Sequence, residues 1–453
     1  MHNIQVFNTL TNTLEPLITH QPDTIKFYVC GPTVYDRPHL GNARSVVVYD
    51  LFYRLFLQCF SQVVYVRNIT DVDDKINNSA KEQNISITQL TNRVLEWFYH
   101  DINALQVLKP THEPKVTSHI AEIILLIEKI LANNHAYISQ NHILFSVDSY
   151  LPYGQLSNRN TAQLIAGSRV EVEDYKKNPL DFVLWKPANK NDDPSSSVFD
   201  SPWGKGRPGW HIECSAMSSK YLGENFDFHG GGADLQFPHH ENEIAQSCCA
   251  NKGSTYAKYW VHNGFLTVNG EKMSKSLKNF ITVFDLLQKN IAGVVIRYML
   301  LATHYRKPFD FNEKALQDAQ KSIDKFYQHI ADCDFSLPFL KPSTQILQAL
   351  SSDLNTSTTF AFLHTLTKDV SQKWQLVSDL HFLGLLDIEY LTKNHQQNIT
   401  INASEIEQML ALRQQYKKNK QFALADEIRH NLLAKGIVIA DSQNGATWSF
   451  LKK

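Results

Sequence analysis

The sequence has no long apolar run. None of its 453 residues belong to a stretch of the roughly 18 consecutive apolar residues that a membrane-spanning helix needs. The nearest, Ile123 to Leu131, is broken by Glu128 and Lys129. The start of the chain is polar and lacks the apolar centre of a secretory signal. We therefore expect a cytoplasmic protein with no membrane partner.

Cysteine is scarce, and no two cysteines form a C-x-x-C pair. In a chain of this length, scattered thiols indicate a reduced compartment and argue against a disulfide framework. The six cysteines are Cys30, Cys59, Cys214, Cys248, Cys249 and Cys333.

An excess of charge of one sign is also missing. The chain has 44 Lys and Arg against 45 Asp and Glu, which gives a net charge of -1. A nucleic-acid partner would therefore have to be bound by local patches. One local excess lies in residues 401–453, with eight Lys or Arg against five Asp or Glu.

Two blocks of the sequence have an α/β pattern. In the first, a strand from Ile25 to Cys30, a helix from about Asn42 to Phe60 and a strand from Gln62 to Asn68 follow one another. In the second, a strand from Asn225 to His229 precedes a tight Gly230–Gly232 loop and a helix. This order predicts an α/β fold with a parallel sheet, split by a segment inserted between its halves.

The remaining pattern divides the chain into further parts. The Asn269-Gly270 pair predicts a hairpin within Tyr259 to Lys272, and a helical pattern begins at Asn312. A polar stretch, Thr392 to Ser404, is typical of a linker. We predict six segments: a first half of the catalytic sheet (1–114), an insertion (115–200), a second half (201–265), a region around the hairpin (266–311), a helical bundle (312–391) and a small terminal domain (392–453).

The run from Pro238 to Glu243 has the pattern of half a metal site. Pro238 suits the first turn of a helix, because it lacks the N–H that would be unpaired there. His239 and Glu243 are then one turn apart on the same helical face. An imidazole and a carboxylate placed in this way can bind one metal ion from a rigid element.

Thiols could complete this site. Cys30 ends the first predicted strand, at the sheet edge where α/β proteins bind ligands, and Cys214 follows a polar loop. With His239 and Glu243 they would form a set of two sulfurs, one nitrogen and one oxygen that suits zinc. The alternative is that both cysteines are small buried apolar residues.

Two further motifs point to phosphate chemistry. His39-Leu40-Gly41-Asn42 lies between a strand and a helix, where backbone N–H groups and the helix dipole favour anions. Lys272-Met273-Ser274-Lys275-Ser276 is a doubly basic loop after the predicted hairpin, and it could neutralise a departing pyrophosphate. Each motif alone is also compatible with ordinary surface, but the pair is specific.

The two motifs resemble the HIGH and KMSKS motifs of class I aminoacyl-tRNA synthetases. Other stretches resemble the cysteinyl-tRNA synthetases within that class, over nearly the whole chain. These are Cys30 to Asp36, Asn68 to Lys75, Gly209 to Met217, Phe228 to Ser247, Arg413 to Gly436 and Gly445 to Trp448. The resemblance implies a Rossmann-like parallel sheet split by an inserted domain, followed by a helical domain and a small C-terminal anticodon-binding unit.

The resemblance also implies roles for individual residues. It gives one zinc ion the ligands Cys30, Cys214, His239 and Glu243. Asn42 departs from the second histidine of the HIGH motif, and an amide keeps a donor there but no cation. The other implied residues are His39, Lys272 and Lys275 in catalysis, Gly41, Asn42, Asp234 and Lys275 at ATP, and Thr70, Trp210 and His211 in the cysteine pocket.

The implied reaction has two steps. The carboxylate of L-cysteine attacks ATP, which is accompanied by Mg²⁺, and the cysteinyl-adenylate then transfers its acyl group to tRNA(Cys). Zinc would serve to distinguish the thiol of cysteine from the hydroxyl of serine, because an apolar pocket separates such similar substrates only by about 10–200-fold. We expect the protein to act as a monomer.

Other functions compete with this reading. A ligase that joins cysteine to a small amine would use the same adenylate, but it should lack the basic C-terminal run from Arg413 to Arg429. A zinc hydrolase would need a second histidine where His240 to Glu243 has none. A non-catalytic tRNA-binding relative should have lost the two ATP motifs, which are intact here.

Overall fold

The fold is seen in a computed structural model that describes residues 3–158, 173–189, 192–193, 196–273, 279–419, 421–434, 437–442 and 445–450. The chain divides into two compact units, Met1–Leu386 and Asp387–Lys453. Within the described residues, no helix is both long and apolar enough to cross a membrane.

The first unit begins with an antiparallel hairpin and a β–α–β unit. Strands β3 and β4 pair in parallel with Tyr28 opposite Val66, and helix α1 connects them. Most of α1 is buried, since its apolar residues recur on every side of the helix. The elements are β1 (Gln5–Asn8), β2 (Thr13–Pro16), β3 (Thr24–Val29), α1 (Leu40–Cys59) and β4 (Gln62–Arg67).

Three helices and a separate antiparallel sheet follow. The sheet has the order β5-β6-β7-β8; its first three strands lie in the segment 115–200 predicted as an insertion, and β8 lies just beyond it. The elements are α2 (Asp74–Glu82), α3 (Ile87–Ala104), α4 (Ile120–Ala132), β5 (Ala136–Ser139), β6 (His142–Phe145), β7 (Phe182–Pro187) and β8 (Gly206–Pro208).

The chain then returns to the first sheet. Its order is β10-β9-β3-β4 and all three pairings are parallel, so each half of the split sheet contributes two strands. This confirms the predicted α/β fold with a divided parallel sheet. The elements are α5 (Trp210–Leu222), β9 (Asn225–Gly232), α6 (Glu241–Ala250) and β10 (Tyr256–Asn263).

The predicted Gly230–Gly232 loop is wrong, because β9 continues to Gly232. The glycines serve close packing instead of a turn. A Cβ atom on Gly230 would lie 2.3 Å from the Tyr49 ring, and one on Gly231 would lie 2.6 Å from the His240 ring. The missing side chains therefore let two large rings pack directly on the strand.

Pro238 does not occupy the first turn of an α-helix as predicted. It lies in a five-residue π-turn, Gln236–His240, that precedes α6, and its peptide bond with Phe237 is cis. Phe237, the second residue of this turn, has extended backbone angles (φ -141, ψ 133), so the turn is kinked there. His239 is nevertheless one turn from Glu243, because His240 and Glu241 are already helical.

A small sheet of order β12-β11-β13 carries the predicted hairpin, which turns at Asn269-Gly270 with φ values of 50 and 81. The hairpin starts at Leu266, since Tyr259 belongs to the large sheet. The elements to the end of the first unit are β11 (Leu266–Val268), β12 (Glu271–Lys272), α7 (Val283–Gln288), α8 (Gly293–Leu301), β13 (Phe309–Phe311), α9 (Glu313–Ile330), α10 (Thr344–Ser351), α11 (Thr356–Leu366) and α12 (Lys373–Phe382).

The second unit contains two helices and a hairpin. Its first helix passes straight through Thr392 to Ser404, so the linker predicted there is wrong. The stretch is polar but contains neither Gly nor Pro, and polarity alone does not end a helix. The elements are α13 (Ile388–Lys418), α14 (Phe422–Ala434), β14 (Ile437–Ser442) and β15 (Gly445–Phe450).

Candidate metal and nucleotide site

Four side chains that could bind a metal ion meet at the carboxyl edge of the parallel sheet. Cys30 directly follows β3, Cys214 lies in α5, His239 lies in the π-turn and Glu243 lies in α6. One ligand atom from each of the four is within 4.8 Å of the others. The sheet therefore brings together residues that are more than 180 positions apart in the sequence.

Direct contacts hold this cluster together. The Sγ atoms of Cys30 and Cys214 are 3.8 Å apart, and Nε2 of His239 is 3.1 Å from Oε1 of Glu243. Cys30 also donates to the same carboxylate oxygen at 3.4 Å. Cys214, His239 and Glu243 are almost completely buried. A set of two sulfurs, one nitrogen and one oxygen at this spacing fits zinc.

Three of the four side chains favour a charged form despite their burial, and Cys30 favours the neutral thiol. Burial would raise the pKa of Glu243, but His229 and His239 hold it well below its usual value. Burial would also lower the pKa of His239, but the Glu243 carboxylate raises it to about 10. Burial raises the pKa of Cys30, whereas hydrogen bonding from Cys30 and His239 outweighs burial at Cys214 and lowers its pKa to about 6. Glu243 and Cys214 thus favour the anionic forms that a divalent cation requires, whereas Cys30 and His239 would each release a proton on binding one.

A second layer of side chains orients two of these four, Glu243 and His239. His229 Nε2 is 2.9 Å from Oε2 of Glu243, and the hydroxyl of Tyr256 donates to the same oxygen at 2.8 Å. Nδ1 of His211 is 2.9 Å from Nδ1 of His239. The other ligand atoms, Oε1 of Glu243 and Nε2 of His239, contact each other, and Oε1 also contacts the Cys30 sulfur. Sequence reasoning missed His229 and Tyr256; the position of His229 on a strand at the ligand-binding edge was the available signal, and Tyr256 had none.

A second candidate group overlaps the first. It consists of Cys30, His229, His240 and Glu243, again within 4.8 Å. Both imidazoles already have partners: His229 contacts Glu243, and Nδ1 of His240 is 2.8 Å from Nε2 of His262. The first group has two sulfurs where this one has a single sulfur, and the first is the better zinc site for that reason.

The predicted pocket residues lie around the cluster. The Trp210 ring is 4.2 Å from the His239 ring and is 39% exposed, so it forms an open wall beside the ligands. Thr70 is buried, and its hydroxyl donates to Glu213 at 3.3 Å. Asn68 connects Thr70 to the cluster, since its amide contacts both the Thr70 hydroxyl and the Cys214 sulfur.

The HIGH-like motif starts α1. His39 is the N-cap: its Nδ1 accepts from the backbone N–H of Asn42 at 3.2 Å, and the Asn42 amide oxygen accepts from the backbone N–H of His39. Burial lowers the pKa of His39, although the Asp234 carboxylate opposes the shift. The imidazole is therefore neutral near pH 7, and Nε2 is its remaining donor. A Cβ atom on Gly41 would lie 2.8 Å from this ring.

Two residues that follow the second motif contact the first. The backbone N–H of Leu40 donates to the carbonyl of Ile281 at 2.9 Å, and the His39 ring meets the Phe280 ring edge-on at 5.4 Å. Both partners follow the KMSKS motif closely in the sequence. Lys272 ends β12, and Lys275 lies outside the described residues.

A parallel sheet with nucleotide motifs at its carboxyl edge and an insertion between its halves is the architecture of a class I aminoacyl-tRNA synthetase. A solved structure of that class, Mycobacterium tuberculosis methionyl-tRNA synthetase in complex with methionyl-adenylate, has the same fold (TM-score 0.52, 13% identity, covering 90% of this chain and 88% of that one). A family profile described as "tRNA synthetases class I (C) catalytic domain" matches residues 17–321.

Curated relatives identify the family more narrowly. The cysteine–tRNA ligase of Wolbachia pipientis wMel is 49% identical over 98% of this chain and 99% of its own length. That of Ehrlichia canis is 48% identical over 99% of this chain and 100% of its own length. The chain belongs to the cysteine–tRNA ligase family and is an aminoacyl-tRNA ligase.

Proposed function

We propose that the chain activates L-cysteine with ATP and transfers it to tRNA(Cys), and that a zinc ion selects the thiol. The observation that carries this proposal is the convergence of Cys30, Cys214, His239 and Glu243 within 4.8 Å of one another, beside the pocket wall formed by Trp210.

The need for such a site follows from the substrate. Cysteine and serine differ in one atom, and an apolar pocket would separate them by only about 10–200-fold. A bound zinc ion supplies a partner that takes a thiolate far more readily than a neutral hydroxyl. Cys30, Cys214, His239 and Glu243 would hold it, and their burial would keep water from competing.

The chain's other residues make the site rigid and shape the pocket. His229 and Tyr256 fix the Glu243 carboxylate through Oε2, and His211 fixes the His239 ring through Nδ1. Such partners of metal ligands set ligand orientation and affinity. Trp210 would bound the cysteine side chain on the open side of the cluster.

Activation needs positioning and charge stabilisation, without a covalent nucleophile on the protein. His39 Nε2 and the Asn42 amide would face the phosphates of ATP, with Gly41 allowing close approach and Asp234 at the nucleotide side of the pocket. Lys272 and Lys275 would neutralise the pyrophosphate as it leaves. ATP would enter with Mg²⁺.

We further propose that the six segments have the roles expected from the sequence. Residues 1–114 and 201–265 would form the catalytic sheet around the insertion 115–200, and 266–311 would carry the lysine motif. Residues 312–391 would form a helical bundle, and the terminal domain 392–453 would bind the anticodon. The protein would act as a monomer.

The test is ATP–pyrophosphate exchange with L-cysteine and, separately, L-serine, followed by charging of tRNA(Cys) transcript. Exchange should depend on cysteine, with a preference over serine of about 10⁴ or more, as translation requires. The tRNA should then be charged, while a small amine acceptor should not react. Exchange without tRNA charging would instead identify a small-amine ligase, and no exchange would refute both.

A further inference from the structure

Arg44 is a buried cation to which the catalytic proposal gives no role. It lies in α1, two residues after Asn42, and its side chain is completely buried. In the described part of the chain it has no carboxylate partner, and burial alone lowers its pKa to about 10. A buried, uncompensated guanidinium is costly, so its partners must be strong hydrogen-bond acceptors.

Those partners are backbone carbonyls of two loops. Nη1 donates to Gly264 at 2.9 Å and to Phe265 at 3.1 Å. Nη2 donates to three carbonyls of the second loop. The four N–H groups of the two terminal nitrogens thus reach both loops and outnumber the three donors of a lysine, while Nε has no partner among the described residues. The three carbonyls are those of His304 at 3.3 Å, Tyr305 at 3.4 Å and Lys307 at 2.8 Å.

Both loops lead into the sheet that carries the lysine motif. Phe265 directly precedes β11, which pairs with β12, and Lys307 precedes β13, which pairs with β11. The loops also bond to each other, since the N–H of Gly264 donates to the Tyr305 carbonyl at 2.8 Å. Gly264 has no room for a side chain, because a Cβ atom there would lie 2.6 Å from the Lys307 carbonyl.

The first two turns of α1 thus contact both flanks of the KMSKS motif. At the first turn, Leu40 donates to Ile281, which follows the motif in the sequence. At the second turn, Arg44 binds the two loops from which the motif-bearing hairpin and its neighbouring strand start. One rigid helix therefore carries His39 at its tip and fixes the base of the second ATP motif.

We propose that Arg44 is a positioning residue for adenylation: it holds against α1, which carries His39, the β11–β12 hairpin that ends at Lys272, where the KMSKS motif begins. This inference rests on the proposed adenylation chemistry, and it concerns residues that contact neither cysteine nor the zinc ligands. Its effect on catalysis comes from alignment, in which a misplacement of about 1 Å can cost on the order of 100-fold in rate.

The experiment is ATP–pyrophosphate exchange with Arg44→Lys, which keeps the charge but cannot bind both loops. The enzyme concentration is determined by active-site titration, so that misfolded protein does not lower the measured kcat. We expect kcat to fall about 10-fold or more, within the range for lost alignment, while KM for cysteine and zinc content stay within about twofold of wild type. Unchanged kcat would overturn the proposal.

Arg297→Lys is the matched control. Arg297 is also completely buried, but it binds Asp50 and the carbonyls of Leu105 and Leu383, away from the hairpin. The Arg297→Lys variant should lose thermal stability, as Arg44→Lys should, but its kcat per active site should equal that of wild type. An equal loss of kcat in both variants would reduce the role of Arg44 to general packing and refute the inference.

A double-mutant cycle with Lys275→Ala tests the route of the effect. If Arg44 acts through the lysine motif, the Arg44→Lys substitution should lower kcat by less than about threefold in the Lys275→Ala background, since coupled residues are non-additive. Full additivity would contradict the proposal.

A second variant covers the case in which Arg44→Lys does not fold. Gly264→Ala displaces the same loops and should give the same loss of kcat. Wild type without exchange would refute the proposed function itself.

Discussion

The hydroxyl of Tyr256 donates a 2.8 Å hydrogen bond to Oε2 of Glu243. This bond, shared with His229 on the same oxygen, directs Oε1 towards Cys30 and His239. Glu243 is fully buried, so its orientation is set by these partners and is not adjusted by water. Because Oε2 is held by these two partners, Oε1 has a fixed direction in which it can bind a metal ion.

Tyr256→Phe should therefore weaken metal binding. The variant keeps the ring and loses only the hydroxyl, and loss of such a partner typically costs about 10–100-fold in metal affinity. Competition for zinc against a coloured chelator measures the change. Tyr259→Phe is the control, because its hydroxyl donates to the Pro16 carbonyl at 2.9 Å, outside the cluster. Equal affinities in both variants would argue against a directing role.

Gly41→Ala should separate activity from stability. The added Cβ atom would lie 2.8 Å from the His39 ring and displace it, so kcat for ATP–pyrophosphate exchange should fall about 10-fold or more. Helix propensity favours alanine over glycine by about 1 kcal/mol, which limits any loss of thermal stability. Cysteine affinity should not change. A variant with normal kcat would show that the His39 ring has no fixed place at ATP.

His262→Gln should weaken the acid sensitivity of the fold. Burial, and then His229, lower the pKa of His262 to about 3, so only the unfolded chain takes up this proton as pH falls below about 6.5. The contribution of the neutral His262 to the free energy of unfolding is thus fully present above that pH and is lost as the pH falls below it. Between pH 7 and pH 5.5, wild type should lose about 1 kcal/mol more than the variant.

Urea unfolding at the two pH values measures this difference. Glutamine can keep polar contacts with both partners of His262, the Thr9 hydroxyl and His240. The same dependence in His262→Gln and wild type would contradict the account.

The sequence was sufficient to predict features that depend on local periodicity or on a residue's position at the end of a strand. The four-residue spacing of His239 and Glu243 predicts one helical face, and Cys30 at a strand end predicts the ligand-binding edge of the sheet. Asn269-Gly270 predicts its turn directly, because few residues adopt positive φ. The divided parallel sheet follows from the two α/β blocks.

What the sequence could not supply depends on contacts between distant segments. Nothing near Tyr256 indicates that it reaches Glu243, and nothing near Arg44 indicates five carbonyls in two loops. The glycines of β9 were misread for the same reason, since glycine marks both turns and close packing. Only the positions of Tyr49 and His240 decide between these meanings.

The central claim is that the cysteine thiol is recognised through a metal held by Cys214 and its three partners. Isothermal titration of L-cysteine into zinc-loaded wild type and into Cys214→Ser tests it most directly, with Cys249→Ser as the control for a buried thiol outside the cluster. We predict that Cys214→Ser loses bound zinc and measurable cysteine binding while ATP affinity stays near wild type, and that Cys249→Ser keeps all three. Unchanged cysteine affinity in Cys214→Ser would contradict the account.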